Sequence, residues 1–210
     1  SGSTSITAGT GVTLDSLNDN TGTIALLSRG GVDGGSGTVL MRAANYAFGG
    51  ADRTITTTGV LTIEPDADEN SFASSFDNQY LNPVSVTGLT LGKSSNASAI
   101  TLSRAISLSG PVSIYGGSID VNANITANSG NILLDADTGN TLNQSSTGIL
   151  LDDVITIETV TSGNLTLIGR SGDTGSGFDG IDASSANTTT LRSAGNLTLQ
   201  GYSYAASGSG

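Results

Sequence analysis

A short phrase recurs along the whole of this chain and limits what it can fold into. Each copy has Ser, Thr or Ala, then Gly, and then two apolar residues that stand one position apart. The copies begin at Thr21, Thr58, Ser129, Ser162 and Ala194. Each copy predicts a turn followed by a short strand with one buried face. Their spacings of 32 to 71 residues are about two or four times a unit of roughly 15 to 22 residues. Repetition of such a unit is typical of a solenoid, in which a unit buries its apolar face only against its neighbours.

The composition fits a thin apolar column better than a compact globule. Hydrophobic residues make up 36% of the 210 residues and aromatic residues only 4%, so bulky apolar volume is scarce. Charged residues are also few, at 12%, which leaves Ser, Thr, Asn and Gly to form the solvent-facing surface. The 30 glycines suit tight corners that need a positive φ.

The charge balance excludes several classes of partner. Asp and Glu number 18 against 7 Lys and Arg, which gives a net charge of −11. Nucleic-acid binding needs a basic stripe, so we expect no nucleic-acid partner, and adhesion to anionic lipid is disfavoured as well. No segment approaches the roughly 20 apolar residues that cross a bilayer, so we expect no membrane insertion.

The absence of two residue types narrows the chemistry further. The chain has no Cys and no His, which excludes disulfides and thiol chemistry and removes the commonest general base and metal ligand. Residues 1–5 have neither a basic nor an apolar segment, so no signal peptide is visible. If the protein is exported, we expect this chain to be a mature or internal piece.

Apolar residues alternate with polar ones in the middle of the chain, which predicts strands with one side in and one side out. Four such strands are predicted at 100–102, 106–108, 112–114 and 119–121, with polar corners of unequal length between them. This pattern favours an all-β parallel β-helix. At about 20 residues per rung we expect roughly ten rungs and a rod on the order of 50 Å long.

A longer correspondence suggests a tandem unit. The stretch from Thr21 to Gly31 resembles the stretch from Ser162 to Gly172, and Ile24 corresponds to Leu165. The offset of about 141 residues is long enough to hold several stacked units. We interpret the chain as a single β-solenoid segment, residues 1–210, of a longer repeat array. Chance similarity between Ser, Thr and Gly phrases is the alternative.

Residues 65–83 break the strand pattern. An acidic, turn-like stretch opens this segment, and Phe72, Phe76 and Tyr80 then follow at a spacing of four. That spacing places the three rings on one face of a short helix. We predict an inserted excursion whose aromatic side chains either form a lid over the edge of a rung or provide a contact patch for a ligand or a neighbouring rod.

The search for catalytic groups is mostly negative. Asp152 and Asp153 form a carboxylate pair of the kind that glycosidases use, but adjacent residues of a strand point to opposite faces. The basic residues are scattered and none lies in a carboxylate cluster. We therefore predict no catalytic residues and expect that the protein is not an enzyme.

Calcium is the better candidate among metals, although we assign no cofactor. The stretch from Thr174 to Asp182 resembles one calcium-binding nonapeptide, and the stretch from Asp135 to Asn140 resembles the start of an acidic calcium loop. The alternative is that these carboxylates cap backbone N–H groups in solvated turns. The weak candidate ligands are Asp135, Asp137, Asp173, Asp179 and Asp182.

Asn follows the turn Gly in three of the repeated phrases, at Asn131, Asn164 and Asn196. We predict that these side chains form a hydrogen-bonded ladder at one corner of the stack. The alternative is glycosylation, because Asn164 and Asn196 belong to N-x-[ST] sequons.

The repeats resemble those of bacterial filamentous-haemagglutinin-like exoproteins and related β-strand-repeat proteins of the adhesin type. The stretches that carry the resemblance are 90–119, 129–136 and 162–167. This resemblance implies a right-handed parallel β-helix, secretion or display on the bacterial cell surface, and a role in adhesion, biofilm or surface-fibre formation.

Two main hypotheses for the function follow. The chain is the structural shaft of an adhesin or extracellular fibre, with itself or neighbouring repeats as partners and possible end-to-end assembly. Alternatively, it is a carbohydrate-binding module for host or matrix glycans, and a polysaccharide-cleaving enzyme is a remote third. Aromatic residues that would stack on sugar rings in the second hypothesis are Tyr46, Phe48, Tyr115 and Tyr202.

Overall fold

The fold is almost entirely β. The computed structural model describes residues 4–16, 21–26, 30–49, 54–66, 69–81, 84–137, 146–172, 178–184 and 188–203. Within these ranges no residue is in an α-helix, and one short 3₁₀ helix, η1, lies at Asn78–Tyr80. The strands, in chain order, are β1 (Thr4–Thr7), β2 (Val12–Asp15), β3 (Thr23–Leu26), β4 (Gly30–Asp33), β5 (Val39–Arg42), β6 (Asn45–Phe48), β7 (Thr54–Glu64), β8 (Phe76–Asp77), β9 (Val84–Leu91), β10 (Ile100–Leu102), β11 (Ile106–Leu108), β12 (Val112–Gly116), β13 (Ile119–Val121), β14 (Ile125–Ser129), β15 (Ile132–Ala136), β16 (Ile149–Leu151), β17 (Thr156–Ser162), β18 (Leu165–Arg170), β19 (Ile181–Asp182), β20 (Thr190–Arg192) and β21 (Leu197–Tyr202).

The strands form parallel sheets. The long sheet runs β1-β4-β7-β9-β12-β15-β18-β21, and β2 joins it through β5, which pairs with β7. Two further sheets run β8-β10-β13-β16-β19 and β11-β14-β17-β20, and β3 pairs with β6 alone. The predicted strands at 100–102, 106–108, 112–114 and 119–121 are all confirmed.

The chain visits the sheets in a repeating order. From β11 to β19 it passes three times through the four-stranded, the long and the five-stranded sheet in turn. We call each pass a row, so that row 5 is β11–β13, row 6 is β14–β16 and row 7 is β17–β19. By the same pairing, rows 1 to 4 begin at β1, β4, β7 and β9, and row 8 is β20–β21. This order is compatible with a solenoid.

One register column shows how the core is built. Its members pair in sequence from row to row along the long sheet: Val12, Val39, Leu61, Leu89, Val112, Ile132, Leu165 and Leu197. The members in rows 2 to 7 are at most 5% exposed, because each is covered by an apolar side chain on both sides. Leu197 in row 8 is 47% exposed, because no described strand covers it.

The number of rows is lower than the sequence pattern predicts. The long path has eight strands in the described part of the chain, against roughly ten expected rungs. The reason is that rows differ in length. Ile132 follows Val112 after a short arc, whereas Leu165 follows Ile132 only after a much longer one. The extra residues of the longer rows lie in the corners between strands.

The predicted helix through Phe72, Phe76 and Tyr80 is wrong. Phe76 lies in β8, which pairs in parallel with β10, and only residues 78–80 adopt a 3₁₀ turn. Part of the segment 65–83 is therefore a strand of the five-stranded sheet, and not an excursion from the stack. Burial decides this: Phe72 and Phe76 are 4% and 7% exposed and belong to the core. The side chain of Tyr80 lies outside what the structure describes.

The offset between the two similar long stretches does not relate equivalent positions of the fold. Ile24 lies in β3, which pairs only with β6, whereas Leu165 lies in β18 of the long sheet. The two phrases share a turn-and-strand pattern that any row of the stack can use. The interpretation of the chain as a segment of a longer array stays a prediction.

Candidate functional site

An asparagine ladder repeats regularly on the outer surface, at one corner of rows 6 to 8. Asn131 Oδ1 accepts from the Asn164 N–H at 2.9 Å, and Asn164 Oδ1 accepts from the Asn196 N–H at 2.8 Å. The predicted ladder is thus confirmed. Its position follows from the turn Gly before each Asn, since Gly130 and Gly163 have φ values of 115° and 109°.

Removing one step of this ladder tests its energetic role. We expect Asn164→Ala to lower the free energy of unfolding by about 1 kcal/mol, because the Asn196 N–H loses its acceptor. Asn128→Ala is the matched control, since Asn128 is exposed at the end of β14. Urea denaturation measures both variants, and equal effects would contradict a role for the ladder.

An aromatic cluster lies toward the other end of the stack, in rows 2 and 3. Phe72 and Phe76 stack at 5.4 Å between ring centroids, and Tyr46 meets both edge-on at 5.8 and 5.9 Å. The Tyr46 hydroxyl lies 2.8 Å from Met41 O and 2.7 Å from Glu64 O, so its single proton is donated to one or shared between them, and burial raises the pKa of this phenol. Phe72 and Phe76, proposed as a contact patch from the sequence, therefore pack inward and do not present their rings to a partner.

A cavity of about 280 Å³ opens beside this region, among rows 3 to 5. Its lining is mostly aliphatic, with Leu81, Leu89 and Ile106 among its walls. At one side Arg104 and Asn78 bond reciprocally, backbone N–H to Oδ1 and Nδ2–H to backbone O, both at 2.8 Å. The lining residues include no carboxylate, so they offer no pair of groups for general acid–base chemistry.

The calcium candidates are dispersed. Asp135 Oδ1 accepts from Arg170 Nη1 at 2.7 Å, and Asp182 Oδ1 accepts from the Ser184 N–H at 2.7 Å. Hydrogen bonds to Ser184 lower the pKa of Asp182. Asp137 is buried, whereas Asp179 is exposed. Asp173 lies outside the described residues.

These placements do not assemble a metal site from the side chains that can be described. Within the described ranges no group of three or more Asp and Glu side chains is arranged to hold a metal ion. Asp135 instead belongs to an ion pair, and Asp182 caps a turn, as the alternative interpretation expected. Weakly bound calcium stays a prediction.

Two ion-pair columns on the outer face were not predicted from the sequence. Arg170 bonds to Asp135 and to Ala136 O, and its guanidinium lies 5.5 Å from the centroid of the Tyr202 ring. Arg42 Nε lies 2.6 Å from Glu64 Oε1 in the next row. Strand pairing places these partners side by side in neighbouring rows. Because the rows differ in length, the sequence spacing between the partners does not reveal this pairing.

Asp77 and Asp120 stand in one register column of the five-stranded sheet, with Thr101 between them. Asn122 Nδ2 donates to Asp120 Oδ2 at 3.0 Å. The Oδ1 of Asp120 is buried and has no hydrogen-bond partner. Burial raises the pKa of Asp120, and the charges of Asp152 and Asp77 add to the rise.

This raised pKa gives a pH-dependent prediction. Below the unfolded-state pKa, about 3.9, Asp120 is protonated in both states and costs nothing. The cost grows as pH rises from this value to the higher folded-state pKa, and it is fully present above the folded-state pKa. Asp120→Asn is therefore expected to raise the unfolding temperature at pH 7, with the gain vanishing toward pH 3. Asp179→Asn, which removes an exposed charge, is the control. A gain that is equal in both variants would contradict the prediction.

The residues proposed for sugar stacking are not brought together as a platform. Phe48 is buried and the Tyr46 hydroxyl is engaged internally. Tyr115 is half-buried in β12, and Tyr202, in row 8, is the most accessible of the four at 43%. Tyr115 lies in row 5 and Tyr202 in row 8, so two rows of the long sheet separate them.

Comparison with known proteins adds no relative. No protein-family model, curated protein or solved structure matches this chain. In the part of the chain that can be described, no helix has the length and apolar character of a membrane span.

Inward-pointing apolar residues are exposed in row 8, whereas in row 1 Ile6 is exposed but Val12, Ile24 and Leu26 are buried. In row 8, Leu197 and Leu199 are 47% and 51% exposed, although their partners Leu165 and Leu167 in row 7 are fully buried. In row 1, Ile6 is 41% exposed. These are the places where core positions of the stack reach the surface.

Proposed function

We propose that this chain is a stretch of right-handed parallel β-helix that serves as the structural shaft of a secreted bacterial adhesin or extracellular surface fibre. The handedness is the one that parallel crossover connections adopt almost always. The place of action under this proposal is outside the cell or on its surface. The resemblance of the repeats to filamentous-haemagglutinin-like proteins supports the same role.

The observation that carries the proposal is the unbroken inner column. Val39, Leu61, Val112, Ile132 and Leu165 are each fully buried, and each pairs through its strand with the rows on both sides. Row-to-row hydrogen bonds run along the axis of the stack, so bending must stretch bonds in every sheet at once. This stiffness along the axis is the property that a shaft requires.

The outer faces support the same role. Residues that point outward in the long sheet are mainly hydroxyl-bearing, as in the paired series Thr62, Thr90 and Ser113. With a net charge of −11, such faces discourage lateral pairing between rods. A non-catalytic role is part of the proposal.

The length of the stack and the hand of its winding test the proposal. Eight rows at about 4.8 Å each give a stack about 35 Å long, and cryo-electron microscopy of the chain fused to a rigid marker reads the hand of the winding. Left-handed winding, or two face-packed antiparallel sheets, would refute the fold on which the proposal depends.

A glycan array separates the shaft from the carbohydrate-binding alternative. We expect no retained glycan. Glycan binding that is lost in Tyr202→Ala and Tyr115→Ala would contradict the shaft proposal and favour the carbohydrate-binding alternative.

A further inference from the structure

The parallel stacking is interrupted at one place, between rows 4 and 5. Residues 84–86 of β9 pair with β7 in row 3, but no described strand pairs with their other edge. In row 5, β11 pairs with β14 of row 6, and its opposite edge also has no described partner. The hydrogen bonds that hold neighbouring rows at about 4.8 Å are therefore missing between these two strands. The cavity of about 280 Å³ lies at this interruption, and we call it the row 4–5 cavity.

Hydrogen bonds fix β11 on both sides of the row 4–5 cavity. Before the strand, Arg104 N–H donates to Asn78 Oδ1 at 2.8 Å, and after it Gly110 N–H donates to Thr87 O at 2.7 Å. Both ends of β11 are thus tied to rows 3 and 4, while its middle has no partner on that side. Ile106 in β11 is accordingly 7% exposed, although its partner in row 6 is fully buried. The cavity is therefore preformed by the course of the backbone, as ligand sites usually are.

The walls of the row 4–5 cavity suit an aliphatic chain. Its aliphatic lining residues come from both sides of the interruption and are Leu81, Val86, Leu89, Ala105, Ile106 and Leu108. The amide of Asn78 is already engaged, because its Oδ1 and Nδ2 both bond to the backbone of Arg104. An apolar cavity of about 150 Å³ stays dry and holds a benzene molecule. By the same measure, this cavity has room for an unbranched chain of about eight to ten carbons.

Arg104 brings to this cavity a positive charge that no described carboxylate neutralises. It is among the lining residues, its side chain is exposed, and no ion pair joins it to a described Asp or Glu. The other described basic side chains are engaged, in ion pairs or with a backbone oxygen: Arg42, Arg170, Arg192 and Lys93. A guanidinium without a partner in so acidic a chain favours a carboxylate ligand, which it binds by charge-assisted hydrogen bonds.

We propose that the row 4–5 cavity binds a free aliphatic monocarboxylate with a chain of about eight to ten carbons. The alkyl chain fills the space between β9 and β11, and the carboxylate accepts hydrogen bonds from the guanidinium of Arg104. The lining residues include no carboxylate that would repel this head group. The inference goes beyond the proposed shaft and does not depend on it, because the cavity needs only rows 3 to 5.

Isothermal titration calorimetry with sodium octanoate tests the role of Arg104. We expect one octanoate to bind per chain. Arg104→Gln should weaken this binding by about tenfold or more, because the charge-assisted hydrogen bonds to the carboxylate are lost. Arg192→Gln is the matched control, since it removes the same charge from an exposed arginine in row 8 that does not line the cavity. Its affinity for octanoate should stay within about twofold of the native value, because distant exposed charges are screened. An equal loss in the two variants would overturn the proposal.

Titration with 1-octanol separates the head group from the chain. Octanol has the same alkyl chain and no charge, so we expect it to bind the native protein more weakly than octanoate does. Its affinity should be the same for the native protein and for Arg104→Gln. Octanol that binds as tightly as octanoate would assign the cavity to an uncharged apolar ligand and refute the proposed carboxylate.

Methyl NMR locates the ligand independently. Octanoate should shift the methyl signals of Ile106, which lines the cavity, and leave unchanged those of Ile157, which is fully buried in row 7. Val86→Phe places a larger side chain in the cavity and should abolish both the shift and the heat of binding.

Two results would rule out this site. One is the absence of a shift at Ile106 when octanoate is in large excess, and the other is binding that persists in Val86→Phe with a native circular dichroism spectrum. If Val86→Phe does not fold, the Ile106 signals of the native protein decide alone. Either negative result would leave the length and winding of the stack, and with them the shaft, unaffected.

Discussion

Replacing Gly163 by Ala is expected to lower the free energy of unfolding by about 2–4 kcal/mol. Gly163 has a φ of 109°, which L-residues rarely adopt, and an added Cβ would lie 1.9 Å from Gly130 O and 2.4 Å from Gly130 C. Both contacts are with backbone of the row below, so a side-chain rotation cannot relieve them. The corner must open, and the hydrogen bond from the Asn164 N–H to Asn131 Oδ1 is lost with it.

Gly9→Ala is the matched control for this change. A Cβ added at Gly9 meets no atom within 4 Å, so we expect a change of about 0.5 kcal/mol or less. Guanidinium denaturation followed by far-ultraviolet circular dichroism measures both variants. If the two substitutions cost the same, the close approach of rows 6 and 7 at this corner is not what requires glycine.

Truncating Leu134 to Ala is expected to cost about 2–5 kcal/mol. Leu134 is fully buried in β15, with Ile114 beside it in row 5 and Leu167 beside it in row 7. The cavity that remains cannot collapse easily, because the neighbouring strands are fixed on both sides by parallel pairing. The loss should appear as a lower midpoint in thermal and urea denaturation.

Leu199→Ala provides a control within the same column. Leu199 is the next member after Leu167, but it is 51% exposed at the edge of row 8. We expect this variant to cost about 1 kcal/mol. Similar losses at the two positions would show that rows do not derive their stability from covering one another.

The strand content of the fold could be predicted because alternation is a local signal. Ile100–Leu102 and Ile119–Val121 each read as apolar, polar, apolar, and each forms a strand of the five-stranded sheet. The asparagine corner was also predictable, since Gly and Asn recur together before the strands β15, β18 and β21. Both features depend only on residues that are near in sequence.

Register could not be predicted in the same way. Asp15, Arg42 and Glu64 stand in one outward column, but the two steps between them differ in length, and no local pattern states either value. The pair Asp135 and Arg170 was missed for the same reason, because its members are distant in sequence. The expected ten rungs exceed the eight strands of the long path in the described residues, because the step from row to row is not a constant 20 residues.

Aromatic spacing misled the prediction for residues 72–80. A spacing of four is compatible with a helix, but here Phe72 and Phe76 are brought together by a bend before β8, and Tyr46 from row 2 completes the cluster. Tertiary packing of large rings outweighed any local helical preference. Tyr46, which packs against both rings, belongs to the preceding row, so the local sequence pattern around residues 72–80 contains no sign of it.

The unequal steps between rows have an evolutionary consequence. Pairing in the sheets fixes only the strands, so a corner can be lengthened without disturbing the pitch, and the arc from Ile132 to Leu165 is longer than the arc from Val112 to Ile132. Insertions at corners therefore change what the molecule displays sideways while its axis keeps the same dimensions. A lineage built on this plan can acquire new surface loops one at a time, and the stacked strands do not have to change.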